Sequence, residues 1–117
     1  MGASRSLTWT ITNAAKYSWT QTQCELNHGI WVKNPPKVIP PGGHVTLQSE
    51  SNGFMTGCEG TVSYNSVVGD FVFYFDNPYI GNDSYTLTVP DEYDHSSTQT
   101  TGNQFKIVSR CFEHPPE

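Results

Sequence analysis

Basic side chains are scarce: six Lys and Arg stand against eleven Asp and Glu, a formal charge of -5. Binding to phosphate backbones needs a clustered Lys/Arg footprint, so nucleic acid is not an expected partner. Charge alone would not draw the chain to anionic lipid either. Zwitterionic lipid stays open, because it is recognised without net positive charge. Long apolar runs are also missing. The longest, Phe71 to Phe75, is far short of the ~20 residues that span a bilayer as a helix. The opening MGASRS lacks the apolar stretch of a secretory signal, so a soluble chain is expected. It does fit the loose Met-Gly-x-x-x-Ser pattern for lipidation at Gly2, set against an ordinary start ahead of a first strand.

Cysteine is sparse too. Cys24, Cys58 and Cys111 allow at most one internal disulfide, and no CxxC pair suggests a zinc knuckle or a thioredoxin-type site. His28, His44, His95 and His114 show no HxxxH spacing. Cys24 and His28 would share a metal only on a helix, which this stretch does not resemble. There is no GxSxG elbow, no phosphate loop, and no EF-hand spacing after Asp91, Glu92 and Asp94. No enzymatic activity, cofactor or metal is expected.

The 117 residues suffice for one domain and one core. Ser and Thr number 24, beside 10 Gly, 8 Pro and 15 aromatics. This composition favours β-structure. Period-two alternation recurs: Leu7, Trp9 and Ile11 share one face, as do Val45 and Leu47, and Val62 and Tyr64. Strands are expected at Leu7–Asn13, Ser18–Leu26, Ile30–Lys33, His44–Glu50, Glu59–Asn65, Phe71–Phe75, Tyr85–Val89 and Phe105–Phe112. Phe71–Phe75, apolar on both faces, reads as a central strand. Four prolines make 34–43 a connection or a sheet edge. The segments 51–57, 76–84 and 91–103 have loop composition, and 1–6 and 113–117 are expected to be flexible. Seven to nine short strands predict a single-domain antiparallel β-sandwich over 1–117.

The aromatics carry most of the functional information. Trp9 alternates with core residues. Trp31 alternates away from Ile30 and Val32, and Trp19 falls with Gln21 and Gln23, so both are expected on polar faces. Tyr79 lies in a turn. Large aromatics on polar faces suit a membrane interface or sugar stacking, where one part of the ring is dry and another wet. Glu59, between Cys58 and Gly60 beside a Gly-rich loop, has the chemistry to receive an ammonium group or to stand free in solvent.

Two blocks then carry a resemblance. ESNGFMTGCEGTVSY (Glu50 to Tyr64) and FYFDNPYIGNDSY (Phe73 to Tyr85) resemble the aegerolysins. Among these are the small components of Bacillus binary insecticidal crystal toxins. The resemblance is strong over about 35 residues and extends more weakly to TWTITN and the Gly-x-Trp at Trp31. It implies a β-sandwich that binds membrane sphingolipid, namely ceramide phosphoethanolamine or sphingomyelin with sterol. It also implies a larger pore-forming partner and an extracellular, insecticidal action on target membranes. By the same resemblance, Glu59 takes the position of the acidic residue that tunes lipid choice. Trp31 takes that of a membrane-facing tryptophan and Tyr79 that of the aromatic after Asn-Pro. Trp9 takes that of an N-terminal strand tryptophan, where alternation puts it in the core; both readings stand at this point. Trp19 joins the set on its glutamine face alone. The family's basic residues for a lipid phosphate have no counterpart near Tyr79, where Asn82 and Asp83 stand. A carbohydrate-binding sandwich using the same aromatics is the rival class.

Overall fold

In the computed structural model, residues 4–115 are described, and they contain ten strands and no helix. In chain order these are β1 (Ser6–Asn13), β2 (Trp19–His28), β3 (Ile30–Lys33), β4 (Val38–Ile39) and β5 (His44–Glu50). They continue with β6 (Cys58–Ser66), β7 (Gly69–Asn77), β8 (Ser84–Thr88), β9 (Tyr93–Thr100) and β10 (Gln104–Glu113). Two five-stranded sheets pack face to face, in the orders β3-β5-β1-β10-β9 and β4-β2-β6-β7-β8. The β-sandwich is as expected. One pairing departs from pure antiparallel order, because β1 and β10 run parallel from Ser6↔Gln104 to Asn13↔Cys111. Ser6 and Glu113, expected at flexible ends, are thus strand residues; Gly2 and the last two residues lie outside the described part.

Inward-facing residues of both sheets fill the core. Leu7, Trp9 and Ile11 of β1 meet Phe71, Phe73 and Phe75 of β7, all fully buried. Trp9 stands edge-on to Phe73 (5.3 Å) and Tyr85 (5.5 Å), a geometry that suits the aromatic quadrupole. Its indole N–H donates to Ser109 Oγ at 3.0 Å, and Ser109 Oγ continues to Ser97 Oγ at 2.7 Å. Alternation was therefore right for Trp9: it belongs to the core.

Trp19 corrects the expectation. It is fully buried, stacked on Phe71 with centroids 4.1 Å apart. Trp19 and half-buried Gln21 share the inward face, where the Gln21 amide donates to Pro35 O and Pro36 O at 3.3 Å. A β-bulge between Gln21 and Gln23 then shifts the register against β6. A bulge puts one extra residue in the strand and reverses the phase of alternation beyond it. Trp19 points inward before the bulge, and Cys24 and Leu26 are half-buried after it. Trp31 departs in the same way. It is half-buried against the core, with its ring edge toward Phe75 at 6.0 Å, while Ile30 and Val32 are exposed. The chain switches sheets at Gly29, just before β3, and a second register shift follows between Trp31 and Lys33. Gly29 has φ 97°, and a Cβ there would lie 2.6 Å from Glu50 O, so the crossing needs glycine.

β9 is a strand where composition suggested a loop. Its inward positions, His95 and Ser97, are polar and hydrogen-bonded to each other at 2.8 Å. Hydroxyls satisfied by the Ser109–Trp9 chain replace the apolar residues that alternation looks for.

Candidate functional site

β6 opens at Cys58, whose side chain is buried, so the pleat turns Glu59 outward. On the outer face of the second sheet, register aligns His28 of β2, Glu59 of β6 and Asp76 of β7 in one row. Glu59 accepts hydrogen bonds from the Tyr74 hydroxyl at Oε2 and from Asn27 Nδ2 at Oε1, the latter at 3.3 Å. His28 Nε2 lies 4.0 Å from Oε1, and the Glu59 side chain keeps 21% of its exposure. Two acceptor sites are taken and further lone pairs remain for a ligand.

The charges in this row are poorly balanced. Glu59 and Asp76 are cross-strand partners, and like charges facing each other across a sheet repel. Burial, then the Glu59 charge, raises the Asp76 carboxyl above its ordinary value, with His28 opposing. Tyr74, which donates to Glu59, is pushed up to about 12. A cation placed in the row would relieve both effects.

The two blocks that carried the sequence resemblance meet here. The β5–β6 loop and the turn after β7 flank a cleft of about 340 Å³, lined by His28, Met55, Thr56, Cys58, Glu59, Asp76, Pro78 and Tyr79. Gly57 makes that approach possible. A Cβ on it would come within 2.8 Å of Pro78 Cα and 2.9 Å of Tyr79 N. The cleft lining contains two carboxylates and no Lys or Arg. Its charge favours a cation over an anion.

Glu59 and Tyr79 are therefore brought together from the sequence set. Trp31 is not among the lining residues, and Trp9 and Trp19 are core residues. Trp31 instead packs against the core beside Phe75. Cys58 lies beneath the cleft, its thiol raised to about 11 by burial. All three cysteines are free.

Sequence reasoning missed two features. Arg5 reaches the turn after β7: its guanidinium lies over the Tyr79 ring at 4.7 Å and donates to Tyr79 O (2.6 Å) and Pro78 O (3.2 Å). No local signal links positions so far apart in the chain. The second feature is a set of exposed apolar residues, Met55 (53% exposed) in the cleft lining, with Phe54 (91%) and Ile80 (83%) next in sequence to the lining residues Met55 and Tyr79. Its signal was present, as two adjacent large apolar residues inside a polar, Gly-bounded loop.

A larger cleft of about 880 Å³ lies near the opposite ends of β6 and β7, lined by Lys16, Tyr17, Val68, Glu92 and Tyr93 among others. Its charges are mixed, with Lys16 paired to Glu113 at 3.8 Å, and it contains none of the sequence-selected residues. Among the described residues, no three His, Cys, Asp or Glu side chains gather as a metal-holding group. No helix among them is long and apolar enough to cross a membrane.

No protein-family model matches the chain. An uncharacterized protein of Dictyostelium discoideum is 37% identical over 93 residues. That match covers 78% of this chain, which spans only 8% of the length of that curated relative. Among solved structures, the lipid-binding protein Nakanori superimposes with a TM-score of 0.82 at 12% identity. The match covers 94% of this chain and 72% of that one. The two share a fold.

Proposed function

We propose that this chain binds membrane lipid, taking a zwitterionic sphingolipid headgroup into the Glu59 cleft. The observation that carries the reading is the cleft itself: a carboxylate pair with no Lys or Arg in its lining, walled by Tyr79 and adjoined by exposed apolar side chains. Glu59 would receive the ammonium of ceramide phosphoethanolamine or sphingomyelin. The fold shared with a lipid-binding protein supports the same reading. A sugar-stacking role for Tyr79 is less well served, since Arg5 already covers its ring.

The sequence resemblance to aegerolysins supports a finer proposal. The chain would be the membrane-recognition half of a two-component, insecticidal pore-forming toxin, acting outside the producing cell with a larger partner. Trp31, half-buried at the sandwich edge, would act by supporting β3 rather than by inserting.

Sedimentation with vesicles tests the lipid reading. The compositions are ceramide phosphoethanolamine in phosphatidylcholine, sphingomyelin with cholesterol, and phosphatidylcholine alone. Selective pelleting with one of the sphingolipids is expected. Absence of pelleting with all three, together with signal on a glycan array, would transfer the cleft to carbohydrate.

A further inference from the structure

We infer that Phe54, Met55 and Ile80 form a wedge that enters the headgroup–acyl boundary of a zwitterionic bilayer. This rests on the lipid-binding reading and adds where and how deeply the protein meets the membrane.

Three observations support it. First, these side chains are not scattered. Phe54 and Met55 lie on the β5–β6 loop and Ile80 follows Tyr79 on the β7–β8 connection, the two segments that flank the cleft. Single exposed apolar residues are ordinary, but large ones gathered at a binding cleft mark an interaction surface.

Second, the loops are held in place. Gly57 lets one loop seat directly on Pro78 and Tyr79 of the other. Thr56 Oγ1 donates to Gly53 O at 2.9 Å, closing the loop tip. Arg5 anchors the second segment through two carbonyls. Met55 has φ 57°, a left-handed conformation that an unbranched side chain tolerates at a cost. A pre-formed tip loses little conformational freedom when it inserts.

Third, the charge arrangement selects a zwitterionic bilayer. The cleft offers two carboxylates beside one histidine and no Lys or Arg, so it suits the outermost group of such headgroups, the ammonium. With the ammonium held at Glu59, the neighbouring apolar tips lie against the same membrane surface. Apolar burial there is the driving term.

Phe54→Ser, Ile80→Ser and the double variant test the wedge, with vesicles of sphingomyelin and cholesterol, or of ceramide phosphoethanolamine in phosphatidylcholine. Each single change is expected to weaken vesicle binding about tenfold, and the double roughly a hundredfold, at an unchanged melting temperature. Phe54→Trp adds a depth readout: its emission should be quenched by phosphatidylcholine brominated on the acyl chain. A double variant that binds vesicles as well as the wild type, with no quenching at position 54, overturns the wedge and leaves the headgroup cleft standing. Wild-type protein that pellets with no vesicle overturns both. A free-solution dimer that the double variant abolishes would assign the patch to a second copy and overturn the membrane assignment.

Discussion

Glu59→Gln separates recognition from folding. The carboxylate keeps 21% of its exposure and accepts from Tyr74 and Asn27. An ammonium about 4 Å away would gain ~1 kcal/mol in bulk water and ~4 kcal/mol at an effective dielectric of about 20. The open cleft holds the net value below the upper figure. Charge-assisted hydrogen bonds contribute ~1.5–3 kcal/mol net, so the variant should lose roughly 10- to 150-fold in affinity for the primary ammonium of ceramide phosphoethanolamine. The fold should lose nothing of that size. The glutamine carbonyl can still accept from Tyr74, and the repulsion with Asp76 across β6 and β7 disappears. A melting temperature equal to or slightly above the wild type's is therefore expected, alongside weaker vesicle binding. The tyrosine supplies an internal control. Tyr74 is held at about 12 chiefly by its bond to the carboxylate, and should return toward its ordinary value of 10. Vesicle co-sedimentation, thermal melts and tyrosine ring titration by NMR measure the three quantities. Unchanged affinity across the lipid panel would refute the role of Glu59. A clear fall in melting temperature would refute the electrostatic account of the row.

Other perturbations report on other parts of the argument. The Asp76 carboxyl is raised above 3.8, so it favours the folded state below that pH and loses this contribution as pH rises through its folded value. Asp76→Asn should therefore raise the melting temperature at pH 7 and leave it unchanged at pH 3; an equal shift at both values would exclude titration as the cause. Trp19→Ala empties a fully buried site stacked on Phe71 and should cost about 3–5 kcal/mol in a denaturant melt. A loss under 1 kcal/mol would return Trp19 to the surface. At pH 8 a thiol reagent should label Cys24 first. Cys58 and Cys111, raised to about 11 and 12 by burial, should react only as fast as the fold opens. Rapid labelling of Cys111 in the native protein would contradict that packing.

The sequence by itself determined the sandwich, most of its strands and the core position of Trp9. Period-two alternation reports a strand with one buried face, and β1, β5 and β7 keep that period without interruption. It also singled out Glu59 and Tyr79, through two motif blocks whose chemistry is local. The tertiary structure decided what alternation cannot carry through a phase change. The bulge in β2 takes Gln23 off the inward face that Trp19 occupies, and the sheet switch at Gly29 turns Trp31 toward Phe75. β9 was hidden because its inner face is built from hydrogen-bonded hydroxyls instead of apolar side chains. The cleft, too, is a tertiary object. Only folding sets Gly57 against Pro78, aligns Glu59 with Asp76 and His28, and carries Arg5 over Tyr79 from the far end of the chain. Local pattern encodes which face of a strand is dry. Which strands become neighbours, and so which charges share a cleft, is fixed by long-range register.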